Sequence, residues 1–379
     1  MNKNRFYLYI SVALIASLLF SLLAVYASSS PRERTGIAVS AKSATLYSPQ
    51  TNDFLFSKSA DMRMPMASTT KIMTALIAQE YSSENDTVRI DQRAVGVEGS
   101  SAYLREGEML TMEELTYALL LQSANDAAAA IAYHISGSIE DFAVLMNQRA
   151  QKLGLTNTSF ANPHGLDSDE HYTTAHDLAI LGAEALKNEK IKEIASTYKK
   201  TFISDNRKRT YVNHNKLLLN YNGAIGLKTG FTKKSGRCLV GAAERDGLLL
   251  VAVTLDAPND WNDHEKLLDL GFESLEKLTV AKAHEYQFTI PVVGGIAENV
   301  KISNFDDEYI VHNRQDGDIQ ANVSVDKFAV APISIGDTLG NVKIISNGNL
   351  IKEIELKAEE TVKAKRSRNI LDRIFGWTP

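Results

Sequence analysis

The chain has 379 residues, of which 44% are hydrophobic and 23% are charged, and its formal net charge is −5. This length allows two domains, and the composition is typical of a globular protein. The acidic balance argues against a nucleic-acid-binding protein, because such proteins usually carry a basic excess.

The N-terminus has the features of a secretory signal peptide. Lys3 and Arg5 precede an apolar stretch over residues 6–27, and this stretch ends in a small-residue cleavage site at Ala27. An uncleaved anchor is the alternative, since the stretch is about long enough to cross a bilayer. Either interpretation predicts an exported protein, with the rest of the chain outside the cytoplasm. We therefore exclude residues 1–27 from the fold.

The next segments alternate between strand and helix signals. Residues 37–46 and 54–56 flank a turn over 48–53, which predicts a β-hairpin. A helix follows over residues 72–78. Thr111 and Glu114 form a capping box at the start of another helix, and Ser123-Ala124-Asn125 falls at a break between two helices. Further helices are expected over 139–153 and 174–187.

From about residue 201 the pattern changes to strands. Segments 224–230, 238–243 and 248–255 are candidates, and Asp246-Gly247 is a hairpin turn signal. An amphipathic helix is expected over 261–277. The single cysteine, Cys238, lies in an apolar strand and therefore fits a small buried side chain. No Cys/His cluster has metal-ligand spacing, so we predict neither a metal nor an organic cofactor.

Two further segments complete the predicted organisation. Residues 278–358 carry short strand signals over 286–293, 309–311, 342–345 and 350–356, which predicts a β-rich C-terminal domain after a larger first domain over 28–277. The tail, residues 359–379, is basic and amphipathic. Its charged residues over 361–379 sum to +4, and its apolar residues fall on one helix side. This pattern suits a membrane surface, although a solvated, frayed terminus is the alternative.

Three short motifs occur in a meaningful order: Ser68-Thr69-Thr70-Lys71, Ser123-Ala124-Asn125 and Lys228-Thr229-Gly230. The first is weak alone, because Ser-x-x-Lys also occurs at Ser196, Ser274 and Ser324. Only the copy at Ser68 follows a proline-containing turn and opens an apolar helix. Helical spacing places Lys71 beside Ser68, and burial lowers the pKa of a lysine, so Lys71 can take the serine proton.

The other two motifs also have chemical and structural interpretations. Ser123 and Asn125 at a helix break can project into a cleft, or they can simply cap a helix. Gly230 allows close approach to a strand, whose edge can bind a peptide. Lys228 and Thr229 offer a positive charge and a hydroxyl to a terminal carboxylate, or they form an ordinary strand end. The three motifs together occur in penicillin-binding proteins and class A β-lactamases.

The chain resembles the low-molecular-mass penicillin-binding proteins, the serine-type D-alanyl-D-alanine carboxypeptidases. Beyond the three motifs, this resemblance rests on residues 40–44, 65–76, 162–167, 171–175, 228–232 and 236–240. It implies the α/β (α+β) penicillin-binding/β-lactamase-like transpeptidase fold, with an antiparallel sheet, a helical subdomain and a cleft between them. A small all-β domain follows.

The resemblance also implies a role for each site residue. Ser68 is the acylated nucleophile, Lys71 its base, and Ser123 the relay that protonates the leaving group. The implied substrate-binding residues are Asn125, Lys228, Thr229, Gly230, Phe231 and Arg237. Backbone N–H groups of Ser68 and Phe231 form the implied oxyanion hole. For Arg237 a structural role is an equal alternative, and His164 is expected to hold its loop.

The implied activity is removal of the terminal D-alanine from peptidoglycan stem peptides that end in D-Ala-D-Ala, and β-lactam antibiotics are the expected inhibitors. Three alternatives stay open at this point. A β-lactamase would need a deacylating glutamate, and residues 170–174 do not match that loop's pattern. A D,D-endopeptidase would use the same residues, and a non-catalytic wall-binding protein would keep only the fold.

Overall fold

The computed structural model describes residues 37–204 and 206–365. Among these residues the chain forms two compact units. The first takes the residues up to Arg245 together with Leu249–Gly271, and the second takes Asp246–Leu248 and the residues from Phe272 onward. Both the predicted signal peptide and most of the predicted basic tail lie outside the described residues. No helix among the described residues is long and apolar enough to cross a membrane.

The first unit combines a sheet with helices. In chain order, its elements are β1 (Ser43–Ser48), β2 (Asp53–Lys58), α1 (Lys71–Tyr81), β3 (Thr87–Arg89), β4 (Met109–Thr111), α2 (Met112–Leu120), α3 (Asn125–Ser136), α4 (Ile139–Lys152), α5 (Ala175–Ala185), α6 (Glu189–Ser196), β5 (Lys199–Ser204), β6 (Arg207–Val212), α7 (Leu217–Asn220), β7 (Ala224–Thr232), β8 (Gly236–Arg245), β9 (Leu248–Leu255) and α8 (Asp260–Ser274).

The main sheet has five strands in the order β2-β1-β9-β8-β7. The predicted N-terminal hairpin is confirmed, because β1 and β2 pair antiparallel. Its first strand begins at Ser43 rather than at residue 37. The backbone N–H groups of Ser40 and Ala41 donate instead to the Asp263 carboxylate, at 2.9 Å and 3.0 Å, so this segment makes no strand ladder.

Helix α1 runs through the centre of the helical region. Its residues from Lys71 to Ala78 are all buried, and it packs against α2, α3 and α5. Helix α5 lies on the sheet at Gly182, where an added Cβ would be 3.0 Å from a Val240 methyl and 3.2 Å from a Val251 methyl. The helices and the sheet therefore share one apolar core.

The predicted N-cap of the capping box is confirmed at the start of α2, but the Glu114 carboxylate contacts Tyr211 and Arg209 and does not return to the Thr111 N–H. The Thr111 hydroxyl accepts a hydrogen bond from the Glu114 backbone N–H at 3.1 Å. The expected helices over 72–78, 139–153 and 174–187 correspond to α1, α4 and α5. Helices α6 and α7 were not predicted; both are short, with four to eight residues.

The second unit is built from strands, as predicted. These are β10 (Leu275–Ala281), β11 (Gln287–Val293), β12 (Asn299–Ser303), β13 (Glu308–Asn313), β14 (Ile319–Val325), β15 (Ala329–Val330), β16 (Thr338–Ser346) and β17 (Asn349–Ala358). Strands β10 and β13 form one sheet. The other six form a sheet in the order β14-β16-β17-β12-β11-β15, around a core that includes Val300, Val342 and Leu356.

The predicted end of the long amphipathic helix was wrong. Helix α8 ends at Ser274, and residues 275–277 begin β10. Leu275 pairs with Asn313 in the antiparallel β10–β13 ladder, so tertiary strand pairing overrides the local helical signal. Consequently Ser274 and Lys277 do not share a helix.

Candidate active site

The first motif forms a tight turn at the start of α1. Residues Ala67–Thr70 form a 3-10 turn, which we call the nucleophile turn, and Lys71 is the first residue of α1. The sequence predicted that Ser68 begins the helix, but Ser68 lies in the 3-10 turn and α1 begins three residues later, at Lys71. Side chains three residues apart eclipse in a 3-10 helix, and the Lys71 Nζ lies 2.9 Å from the Ser68 Oγ.

Lys71 is fully buried, and its amine has three oxygen neighbours. Besides the Ser68 Oγ, these are the Asn125 Oδ1 at 2.7 Å and the backbone carbonyl of His164. Burial holds the pKa of Lys71 well below its ordinary value, Lys228 lowers it further, and Asp126 opposes the shift. When the amine is neutral, its two N–H bonds can serve the two carbonyl oxygens. Its lone pair is then free to accept the Ser68 proton.

The second motif lies between α2 and α3 and does not cap a helix. Ala124 is the N-cap residue of α3, and no side chain makes a cap hydrogen bond there. Ser123 has a φ of +60°, a left-handed conformation that is uncommon for serine. Its hydroxyl lines the cleft, without a hydrogen-bond partner among the described residues. The side-chain amide of Asn125 is held from the other side by the Glu98 carbonyl.

The third motif brings β7 against the nucleophile turn. A Cβ at Gly230 would lie 3.0 Å from the Ser68 backbone nitrogen, so a side chain there would have to displace the turn. Lys228 is buried, with its Nζ 3.0 Å from the Thr229 carbonyl. Burial lowers the pKa of Lys228 to about 7. Phe231, the next residue after Gly230, is 66% exposed at the cleft.

These elements surround one cleft of about 390 Å³, within the size range of small-ligand sites. Of the nine sequence-predicted site residues, six line it: Ser68, Ser123, Thr229, Gly230, Phe231 and Arg237. Lys71 and Asn125 lie directly behind Ser68, and Lys228 precedes the lining part of β7. The structure therefore brings together residues that are up to 169 positions apart in the chain.

The cleft also contains residues that sequence reasoning missed: Ser100, His214, Lys216, Asp260 and Trp261. None belongs to a recognisable motif, and each reaches the site only through the tertiary fold. The one signal in the sequence for a place at the cleft was that His214 is a polar residue beside a predicted strand. Burial, followed by the charge of Lys228, lowers the pKa of His214.

Arg237 forms part of the cleft wall and is anchored by Asp260. Its Nη2 lies 2.9 Å from the Asp260 Oδ1, while the side chain keeps 44% exposure. Asp260 is buried and also accepts the Trp261 backbone N–H at 3.0 Å. A guanidinium has five N–H donors, so this anchoring leaves donors that can face a ligand carboxylate.

The loop over residues 162–167 packs directly on the nucleophile turn. The Asn162 side-chain oxygen accepts the Gly165 N–H at 2.7 Å, and the Thr74 hydroxyl donates to the Pro163 carbonyl at 2.6 Å. Burial lowers the pKa of His164 to about 3, so its imidazole is neutral. Its ring accepts a backbone N–H within the loop at 3.3 Å, in keeping with a loop-holding role.

The geometry assembles the parts of an acyl-transfer site: a hydroxyl nucleophile, a desolvated amine, a second hydroxyl and a cationic wall. Cys238 is buried, as expected, and burial raises the pKa of its thiol to about 11, so the thiol stays protonated. Among residues 37–204 and 206–365, no group of three or more His, Cys, Asp or Glu side chains could hold a metal ion.

Comparisons with known proteins agree with this geometry. Residues 27–259 match a family described as D-alanyl-D-alanine carboxypeptidase, and residues 276–364 match the C-terminal domain of penicillin-binding protein 5. The D-alanyl-D-alanine carboxypeptidase DacF of Bacillus subtilis is 31% identical, over 97% of this chain and 98% of that protein. DacC of Escherichia coli is 32% identical over 80% of each. The crystal structure of penicillin-binding protein 5 from Haemophilus influenzae is 29% identical, with a TM-score of 0.67, over 87% of this chain and 99% of that one.

Proposed function

The chain belongs to the D-alanyl-D-alanine carboxypeptidase family of serine penicillin-binding enzymes, and we propose that Ser68 is the nucleophile on which its acyl-enzyme forms. The observation that carries this proposal is the 2.9 Å contact between the Ser68 hydroxyl and the fully buried Lys71 amine. Desolvation favours the neutral amine, which is the form that can accept a proton.

The proposed first step is acylation. Ser68 Oγ attacks the carbonyl carbon between the two terminal D-alanines while Lys71 accepts the hydroxyl proton. The negative charge that develops on the carbonyl oxygen is stabilised by the backbone N–H groups of Ser68 and Phe231, two residues that line the cleft. The C–N bond then breaks, and the departing D-alanine nitrogen receives a proton through the Ser123 hydroxyl.

The second step is hydrolysis of the ester on Ser68. A water molecule attacks the acyl carbon, its proton passes to Lys71, and the shortened peptide leaves as Ser68 regains its hydrogen. A β-lactam would enter the same first step: its ring C–N bond opens, so the leaving nitrogen stays tethered to the acyl group.

Substrate binding is assigned to the cationic wall. Lys228, Thr229 and Arg237 offer charge and hydrogen-bond donors to the terminal carboxylate, while the Asn125 amide lies beside Lys71 to orient the substrate amide. Strand β7 lies at the end of the main sheet, so its outer edge can bind an extended peptide by strand addition, while Gly230 allows β7 to approach the nucleophile turn closely. We assign these roles to residues 28–277 as the catalytic domain, with residues 278–358 as the β-rich domain.

Covalent labelling by a penicillin, located by peptide mass spectrometry, tests the nucleophile. We expect one adduct on the Ser68 peptide and none in Ser68→Ala. Ser324→Ala is the matched control because Ser324 also lies in a Ser-x-x-Lys string but is exposed on β14, and we expect it to label normally. An adduct that persists in Ser68→Ala would overturn the assignment.

Two finer proposals concern location. We propose that residues 1–27 direct export and that the predicted basic tail, residues 359–379, binds the outer surface of the cytoplasmic membrane through the part after residue 365. The part before it belongs to the β-rich unit, because Val362 is buried in its core and pairs with Ile333. Sedimentation with vesicles that contain anionic lipid tests the tail. The full mature chain is expected to sediment and a chain that ends at residue 365 to stay in solution, whereas equal sedimentation would contradict the proposal.

A further inference from the structure

A chain of hydrogen bonds runs from the loop region to the nucleophile turn. The backbone N–H of Ala161 donates to the His171 Nδ1 at 3.0 Å, and the His171 Nε2 lies 2.7 Å from the Thr70 Oγ1. The Thr70 hydroxyl in turn donates to the Ala67 carbonyl at 2.7 Å. Both side chains are buried, so water does not compete for these bonds.

The direction of each bond follows from the number of hydrogens. Thr70 has one hydroxyl hydrogen, and the Ala67 carbonyl can only accept, so that hydrogen is used there. His171 must therefore donate from Nε2 to Thr70. The same tautomer leaves Nδ1 free to accept from Ala161, so all three bonds agree on a neutral Nε2–H imidazole. Burial, followed by the charge of Lys71, lowers the pKa of His171 to about 4 and so favours this neutral form.

This series of hydrogen bonds ends at the peptide unit between Ala67 and Ser68, which contains the proposed oxyanion donor. The carbonyl of Ala67 and the N–H of Ser68 belong to one planar group and point in opposite directions. A bond that holds the carbonyl therefore also aims the N–H, and it strengthens that N–H as a donor through polarisation. The Ser68 N–H has no acceptor among the described residues, and it is the proposed oxyanion donor.

The backbone at this point needs such support. Ala67 has a φ of +47°, in the left-handed region that a residue with a side chain rarely adopts, and this conformation persists only where surrounding contacts hold it. Gly165 also approaches this residue so closely that an added Cβ would overlap the Ala67 carbonyl oxygen. The Ala67 carbonyl is therefore contacted both by the Gly165 backbone and by the Thr70 hydroxyl.

We infer that Thr70 and His171 are positioning residues that aim and polarise the Ser68 backbone N–H toward the oxyanion. This inference rests on the proposed acyl transfer at Ser68. It predicts a specific kinetic signature, because an oxyanion forms in the transition state and not in the bound substrate. Loss of the hydrogen bonds from His171 to Thr70 and from Thr70 to Ala67 should slow acylation and leave initial binding unchanged.

Thr69 provides an internal control for this test. Like Thr70 it is buried, and its hydroxyl donates to a carbonyl three residues earlier, that of Met66, at 2.6 Å. That carbonyl shares its peptide unit with the Ala67 N–H and not with the Ser68 N–H. Thr69→Val and Thr70→Val therefore remove the same type of bond from neighbouring positions, and only the second acts on the oxyanion donor.

The test is time-resolved acylation by a fluorescent penicillin, which separates the acylation rate constant from the dissociation constant of the first complex. Complete loss of an oxyanion donor slows other enzymes about 10²- to 10³-fold, so we expect about a tenfold slower step in Thr70→Val, where the donor is only misaligned. We expect binding within about twofold of wild type, Thr69→Val near wild-type rates, and recovery in Thr70→Ser. Equal rates for Thr69→Val and Thr70→Val would overturn the inference.

Two substitutions at His171 test the same inference if Thr70→Val does not fold. His171→Gln keeps a donor near the Nε2 position, whereas His171→Asn keeps an acceptor near Nδ1 and loses the donor. We expect His171→Gln to acylate several-fold faster than His171→Asn, and the reverse order or equal rates would contradict the inference. Penicillin labelling of the wild-type protein and of Ser68→Ala distinguishes failure of this inference from failure of the proposed function. If Ser68 is the nucleophile, the wild-type protein is labelled and Ser68→Ala is not, whatever the rates of the His171 variants. If Ser68 is not the nucleophile, both proteins are labelled or neither is.

Discussion

The charge of Lys228 should control recognition of the substrate carboxylate in a pH-dependent way. Burial lowers the pKa of Lys228 to about 7, so in the empty cleft this lysine carries its charge below pH 7 and loses it above. One pH unit above the pKa about a tenth of the molecules retain the cation, and two units above about a hundredth do. Since kcat/KM reports the free enzyme, that parameter should follow this loss.

The base Lys71 must be separated from this effect, because its pKa is also lowered and its neutral form gains population as the pH rises. A pair of substrates does so: a peptide that ends in D-Ala-D-Ala with a free carboxylate, and the same peptide with a C-terminal carboxamide. Both need Ser68 and Lys71, but only the first needs a cation in the wall. The ratio of their kcat/KM values therefore isolates the carboxylate contact.

We expect this ratio to fall about tenfold between pH 8 and pH 9, and to be constant below pH 6. Release of D-alanine or its amide, measured by mass spectrometry from pH 5 to 9, gives both values. In Lys228→Arg the guanidinium stays charged across this range, so the ratio should no longer fall, with a thermal melt to confirm folding. A wild-type ratio that stays flat from pH 6 to 9 would show that the Lys228 charge does not bind the carboxylate and would leave Arg237 as its main partner.

Three further predictions test other parts of the site. Lys71→Met should slow acylation by a penicillin at least about a thousandfold, as expected for loss of a general base, and a rate within tenfold of wild type would contradict its role. Gly165→Ala should abolish labelling because its Cβ would meet the nucleophile turn at 2.0 Å, while Gly96→Ala, with a similar positive φ and open space, should label normally. Asp260→Asn should raise KM about fivefold, with kcat unchanged, because it weakens the ion pair that holds Arg237 in the cleft wall. An unchanged KM for the carboxylate substrate would exclude a contact between Arg237 and the substrate carboxylate.

Local patterns in the sequence explain which parts of the fold could be predicted. The N-cap at Thr111 could be predicted because its partner, the Glu114 N–H, is three residues away, and the same spacing joins Ser68 and Lys71. The apolar run after Ser68 indicated a buried helix, and α1 is buried along most of its length. Such features depend on neighbours along the chain, so a sequence contains them directly.

Features that depend on distant partners could not be read in this way. The end of α8 is set by pairing of Leu275 with Asn313, and no local signal announces that partner. His214 reaches the cleft from the loop after β6 and Trp261 from the start of α8, and neither carries a motif. The hydrogen bond from His171 to Thr70 joins residues 101 positions apart, so its function becomes visible only in the folded chain.

D-alanine release from a peptide that ends in D-Ala-D-Ala, with residues 28–379 and the variant Ser68→Ala compared side by side, tests the proposed acyl transfer at Ser68 most directly. We expect release by the first protein and none by the second, with both equally folded by thermal melting. Release that continues in Ser68→Ala, or no release from the well-folded parent protein, would show that Ser68 does not carry this reaction.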